Sequence, residues 1–93
     1  MIQSFYDKET ERIFHQQFSR KIPETIQRIA LRKLIMMNNA KDLNDLRVPP
    51  ANRLEKLSGD RNRQYSIRIN DQYRICFRFD QGDFYDVEIT DYH

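Results

Sequence analysis

The residues with the greatest capacity for chemistry stand together at the end of this 93-residue sequence, Asp91-Tyr92-His93. A histidine titrates near neutrality and can give or take a proton at cellular pH. A carboxylate beside it can hold its tautomer or raise its pKa. A tyrosine can stack on a base or hydrogen-bond a phosphate. RNA brings its own nucleophile, the 2′-hydroxyl. Cleavage then needs a base for that hydroxyl, cations for the phosphate charge and an acid for the leaving oxygen. This chain can supply all three. By itself, a polar triplet after a last strand also describes a frayed end.

The cations must come from elsewhere in the chain. Sixteen Lys and Arg against fourteen Asp and Glu leave a net charge of only +2, so position matters more than total. The second half holds Arg61, Arg63, Arg68, Arg74 and Arg78. Residues 64–69, 73–79 and 84–90 alternate between apolar and polar, the pattern of half-buried strands. The inward sets are Tyr65, Ile67 and Ile69; Tyr73, Ile75, Phe77 and Phe79; and Tyr85, Val87 and Ile89. That leaves Ser66, Arg68, Arg74, Cys76, Arg78, Asp86 and Glu88 on an open polar face. A three-residue loop, Asn70-Asp71-Gln72, pairs Ile67 with Ile75 and sets Arg68 opposite Arg74. Like charges so placed cost about 0.2–1 kcal/mol. An RNA phosphate between them would relieve that cost. Equally, Asp86 and Glu88 on the next strand could neutralise them as solvated pairs.

The elements that must position these groups follow from pattern. Residues 2–5 alternate and suit a short strand. Asp7 can cap a helix reaching Phe18, with Ile13, Phe14 and Phe18 on one face. Pro23 suits the first turn of a second helix. Its apolar face is Ile26, Ala30, Leu34 and Met37, widened by Ile29, Leu31 and Ile35. Residues 42–46 can add a short turn, and Pro49-Pro50 closes the helical half. Residues 53–57 read as a short strand and residues 80–83 as a turn. The expected fold is α+β, two N-terminal helices packed on one face of a small, mostly antiparallel sheet, in a single domain over residues 1–93.

Several classes of function are disfavoured. The lone Cys76 forms no intramolecular disulfide and gives no cysteine pair for zinc. No glycine-rich phosphate loop or metal cluster is visible, so neither cofactor nor metal is expected. No apolar run approaches the ~20 residues that span a bilayer, and the start lacks a leader pattern. A cytoplasmic protein without a membrane partner is expected. His15 reads as a surface or packing residue, and Lys21, Arg28, Arg32 and Lys33 as a solvated helix face that could touch nucleic acid.

The order of motifs carries more. Asn52-Arg53-Leu54-Glu55-Lys56-Leu57-Ser58-Gly59-Asp60-Arg61 leads into Tyr65-Ser66-Ile67-Arg68-Ile69-Asn70. Gln72-Tyr73-Arg74-Ile75-Cys76-Phe77 and Val87-Glu88-Ile89-Thr90-Asp91-Tyr92-His93 follow. Together with the opening Met1-Ile2-Gln3-Ser4-Phe5, this order resembles the HigB family of bacterial toxins, within the RelE superfamily. The resemblance implies an endonuclease that cuts mRNA in the ribosomal A site without a metal. It implies a HigA-type antitoxin with a helix-turn-helix domain, the pair repressing its own operon through operator DNA.

The resemblance also implies roles for residues. Arg68 would contact the RNA backbone, with Arg53, Lys56 and Arg78 as further RNA-binding positions. Arg74 would stabilise charge on the scissile phosphate. His93 would transfer protons, Asp91 would assist it and Tyr92 would position the nucleotide. Two positions depart from the pattern. Glu55 stands where some members have histidine, and a carboxylate can act as a base but not as a cation for phosphate. Ser66 replaces a lysine of some superfamily members. The same superfold includes ParE-like toxins, which inhibit DNA gyrase by protein contact without cutting RNA. A non-toxic RNA- or antitoxin-binding relic is the third alternative.

Overall fold

Asp7 opens the first helix by accepting the Thr10 N–H at 2.7 Å. The helix, α1, runs over Lys8–Phe14 in the computed structural model, which describes residues 1–61 and 63–92. It stops at Phe14 rather than Phe18. Gln16 takes a positive φ of 64°, and the Gln17 N–H returns to the Arg12 carbonyl at 2.8 Å. A left-handed residue of this kind ends a helix by satisfying its last carbonyls. Phe18 therefore leaves the apolar face and lies exposed, contrary to the helical spacing.

The connection to the second helix is tied by side chains. Ser19 Oγ donates to Glu9 at 2.6 Å, and Gln27 Nε2 donates to the carbonyls of Ser19 and Ile22 at 2.7 Å each. Helix α2 covers Glu24–Asn39 with Pro23 at its N-cap. Ile26, Ala30, Leu34 and Met37 form its buried stripe as expected, whereas Ile35 faces out. A 3₁₀ turn over Leu43–Arg47 follows, started by a capping box between Asp42 and Asp45.

The second half is a four-stranded antiparallel sheet in the order β1 (Glu55–Lys56), β2 (Tyr65–Arg68), β3 (Tyr73–Asp80), β4 (Asp83–Asp91). Ile67 pairs with Ile75 and Arg68 with Arg74, the register expected from a three-residue loop. Gln81 and Gly82, both with positive φ, make the tight turn between β3 and β4. Two such residues match the right-handed twist of the strands they join. Residues 2–5 form no regular strand. They run parallel to β4 through single bridges, Ile2 to Phe84 and Phe5 to Val87. Farther along this edge, the Ile89 N–H donates to Thr10 Oγ1 at 3.0 Å. The N-terminal segment and α1 thus occupy donors that an open sheet edge would expose.

The core lies between the helices and one sheet face. Leu34, Met37, Leu46, Ile67, Ile75, Phe77, Phe84 and Val87 are its largest fully buried apolar members. One inward assignment is wrong. Cys76 pairs with Glu88, but Arg78 pairs with Tyr85, so a bulge shifts the register by one. Asp86 supplies it with a φ of 54°, and Ser4 Oγ accepts its N–H at 2.9 Å. An extra residue in one strand exchanges the faces of everything beyond it. Phe84, not Tyr85, therefore points into the core. Tyr85 lies on the outer face, with the Arg78 guanidinium 5.6 Å from its ring centre.

Candidate active site

The outer sheet face is organised in rows across the strands. Glu55, Ser66, Cys76 and Glu88 form one row, and Arg68, Arg74 and Thr90 form the next. Arg74 leans back across its neighbours towards β1. Its Nε donates to Ser66 Oγ at 2.7 Å, and its Nη2 donates to the Arg53 carbonyl at 2.7 Å. Nη1 lies 3.9 Å from Glu55 Oε1. A guanidinium has a rigid fork of donors, so anchoring two of its edges fixes where the third points. The Glu55 side chain is more than half exposed, and its contact with Arg74 is loose enough for an incoming anion to displace.

Tyr92 covers this group. Its ring centre lies 6.0 Å from the Arg74 guanidinium carbon, and its N–H donates to the Gln72 carbonyl at 2.6 Å. Burial pushes the phenol's pKa up, as do the charge and hydrogen bond of Cys76, while Arg61 and Arg74 pull it down. Arg61 stands at the same place. Its Nη1 donates to Glu88 Oε1 at 3.2 Å and to Gln64 Oε1 at 3.1 Å. Burial lowers its pKa, but the hydrogen bond to Glu88 and the charges of Cys76, Glu88 and Tyr92 outweigh that and raise it.

The polar face is consequently less open than alternation suggested. Ser66 and Cys76 point outward yet are buried, at 0% and 1% exposure. The arginines do not await a phosphate to separate them either. Arg68 pairs with Asp71 in the turn, while Arg74 reaches the other way. Nor do Asp86 and Glu88 neutralise these two. Asp86 pairs with Arg78 at 2.7 Å and Glu88 with Arg61 at 3.2 Å.

Other expected site residues fall at different distances from this centre. Arg53 contributes its carbonyl; it has a φ of 46° and an exposed side chain. Lys56 pairs with Tyr65, in the row next to Glu55 and Ser66. Alternation sends its side chain to the side opposite Glu55, so it does not join Arg74. Arg78 lies four residues along β3 from Arg74, about 13 Å away at strand rise. Asp91 pairs with Tyr73, and Gln72 Nε2 donates to both of its oxygens at 3.2 Å. His93 lies outside the described residues. The Arg61–Glu88 pair was not anticipated as part of the site. Arg61 stood out as a basic position and Glu88 as an outward carboxylate, but nothing in a linear sequence joins residues so far apart.

Among the described residues, no three of the histidine, cysteine, aspartate and glutamate side chains are grouped to hold a metal ion. Thr90, beside Arg74 in its row, has a buried hydroxyl with no hydrogen-bond partner among the described residues.

Comparison with known proteins gives the family of the chain. The family model for the RelE-like toxin of the type II toxin–antitoxin system HigB matches residues 3–93. An uncharacterized protein of Haemophilus influenzae is 43% identical over 63 residues, 68% of this chain and 62% of that protein's own length. Toxin HigB-1 of Vibrio cholerae is 39% identical over 88% of this chain and 87% of its own. Endoribonuclease HigB of Proteus vulgaris is 32% identical over the full length of both. A chain of the YoeB–YefM complex from Staphylococcus aureus superposes with a TM-score of 0.60, covering 100% of this chain and 98% of that one. At 19% identity, that likeness is one of fold. The chain belongs to the HigB-like family and is the toxin half of a type II toxin–antitoxin system.

Proposed function

We propose that this toxin is an endoribonuclease that cuts mRNA on the translating ribosome and so arrests growth. The 2′-oxygen attacks the adjacent phosphorus, a cyclic phosphate forms, and the 5′-oxygen leaves with a proton. Catalysis then requires a base, an acid and a fixed cation rather than a metal. The name of the Proteus vulgaris relative supports the activity. The observation that carries it is the Arg74 guanidinium, held on two edges by Ser66 and Arg53 with its third edge against the displaceable Glu55. A cation so fixed needs little reorganisation when charge develops on a phosphate.

In this reading Arg74 stabilises the scissile phosphate and Tyr92 stacks on the nucleotide. Arg68 holds the RNA backbone, with Arg53, Lys56 and Arg78 more peripheral. Glu55, released from Arg74 by the phosphate, takes the 2′-hydroxyl proton. His93 delivers a proton to the leaving oxygen and Asp91 assists it, roles that the family resemblance implies. The partner is a HigA-type antitoxin with a helix-turn-helix domain, which ties the pair to operator DNA, and the toxin works in the cytoplasm. Primer extension on mRNA from cells producing the toxin tests this. New 5′ ends within translated reading frames are expected, and none with Arg74→Ala at matched expression. Growth arrest with no new ends, and with inhibited gyrase, would overturn the reading in favour of a ParE-like action.

A further inference from the structure

A second basic group lies beside the one already described, where α2 meets the turn that leads into β1. Lys33 is half-buried there, and its Nζ donates to Asn52 Oδ1 at 2.6 Å. Asn52 is itself fully buried. Its amide nitrogen donates to the Leu46 carbonyl at 3.1 Å, so its oxygen is turned towards the lysine. An ammonium has three donors, and this contact uses one. Arg32 stands beside Lys33 on α2, and together with Met36, Pro49 and Asn52 they line a cleft of about 280 Å³. That is near the lower end of the ~300–1,000 Å³ common for ligand pockets and suits a phosphate with its sugar.

Two of the charges that act on Lys33, Arg68 and Arg32, are of its own sign. Burial lowers its pKa first, and the nearby Arg68 and Arg32 lower it further. One carboxylate, Asp71, pairs with Arg68 and is almost wholly exposed. Holding three cations together costs folding energy, and a bound anion would offset it. The group is also joined to Arg74. Asn52, which holds Lys33, is followed in the chain by Arg53, whose carbonyl holds Arg74, while Arg68 faces Arg74 across the ladder.

We propose that Arg32, Lys33 and Arg68 form a second phosphate subsite for RNA, which guides the strand from Arg74 over the β1 edge onto α2. This rests on the nuclease reading above, and it adds to the RNA path two residues of a helix face that sequence pattern read as solvated but able to touch nucleic acid. The phosphate can belong to the message or to ribosomal RNA, and the test separates these sources.

The full chain, free of antitoxin, is titrated with a short single-stranded 2′-O-methyl RNA, which it cannot cut, and separately with vacant ribosomes, over a range of salt. Lys33→Met and Arg32→Gln should each weaken binding. Each should also flatten the plot of log affinity against log salt by about 0.7, the loss of one single-strand phosphate contact. Lys33→Arg should restore both. An effect on the oligonucleotide assigns the site to the message, and an effect on ribosomes alone assigns it to ribosomal RNA. Slopes equal to wild type on both supports, or no salt-dependent binding by the wild type on either, would overturn the proposal. Arg32→Gln leaves the Asn52 contact intact, so its result stands even if Lys33→Met folds poorly. Cleavage is scored independently. A wild-type chain that cuts no RNA on programmed ribosomes refutes the nuclease reading, whatever the salt slopes show.

Discussion

Arg68 and Arg74 face each other across the β2–β3 ladder, and their guanidiniums turn to opposite sides. Arg68 pairs with Asp71 in the hairpin turn, while Arg74 crosses to Ser66 and the Arg53 carbonyl. The divergence removes the like-charge penalty that direct apposition would carry. It also assigns the two residues different tasks. Arg68 is held by an exposed carboxylate and can be recruited by a passing phosphate. Arg74 is already fixed.

Arg74→Ala should therefore lower the rate of RNA cleavage by about 10²–10³-fold, the cost of removing one preorganised donor to a developing oxyanion. The fold should persist, since the residue sits on the outer face. Arg74→Lys should recover little, because an ammonium cannot span Ser66 and Arg53 while offering a third edge. Single-turnover cleavage on programmed ribosomes measures this; a lysine variant of near wild-type rate would contradict it.

In the proposed reaction Ser66 is a positioning residue for Arg74. Its hydroxyl receives the Nε donor, a charge-assisted bond of roughly 1.5–3 kcal/mol. Ser66→Ala should release the guanidinium and lower kcat about 10–100-fold. KM should change little, because the other phosphate contacts remain. A rise in KM with kcat unchanged would show that Ser66 serves substrate binding instead.

Much of this arrangement was legible in the sequence. Strict alternation in β2 and β3 around a three-residue loop leaves one register that buries both apolar sets, and it puts Arg68 opposite Arg74. The buried stripe of α2 follows from its helical spacing in the same way. What escaped was set by single backbone angles and by long-range contacts. Positive φ at Gln16 ended α1 before Phe18, and positive φ at Asp86 exchanged Phe84 with Tyr85. Neither residue is a glycine, so neither marks its conformation. The burial of Ser66 and Cys76 came from side chains that fold over the sheet, Arg74 and Tyr92 among them, which strand parity does not describe.

The bulge makes Phe84 and Tyr85 unequal in a way that alternation reverses. Phe84 is fully buried and packs against Phe77 and Phe79, with ring centres 5.3 and 5.1 Å away. Phe84→Ala should cost about 3–5 kcal/mol, the range for emptying a buried aromatic site. Tyr85→Ala should cost about 1 kcal/mol or less, the worth of its contact with Arg78 at a solvated site. Urea unfolding of both variants decides it, and a larger loss at Tyr85 would mean that β4 keeps an unbroken register.

Tyr92 carries a prediction in pH. Burial, then the charge and hydrogen bond of Cys76, raise its phenol pKa, and the opposing pull of Arg61 and Arg74 is smaller. The folded value thus lies above the ~10 of the unfolded chain. The folded protein keeps a proton that the unfolded chain has already released, so this contribution to stability is whole below about pH 10 and is lost as pH rises through the folded value. The side chain is 41% exposed, so screening keeps the effect small. For catalysis the consequence is direct: near neutrality the phenol is uncharged and does not act as the base. Tyr92→Phe keeps the ring over Arg74 and should leave the shape of the pH–rate profile unchanged below about pH 9. Tyr92→Ala should weaken nucleotide binding by roughly 1–3 kcal/mol through lost stacking. Alkaline titration of tyrosinate absorbance should lose a late step in the Phe variant. A step lost below the ordinary tyrosine value would instead place Arg61 and Arg74 in control of the phenol.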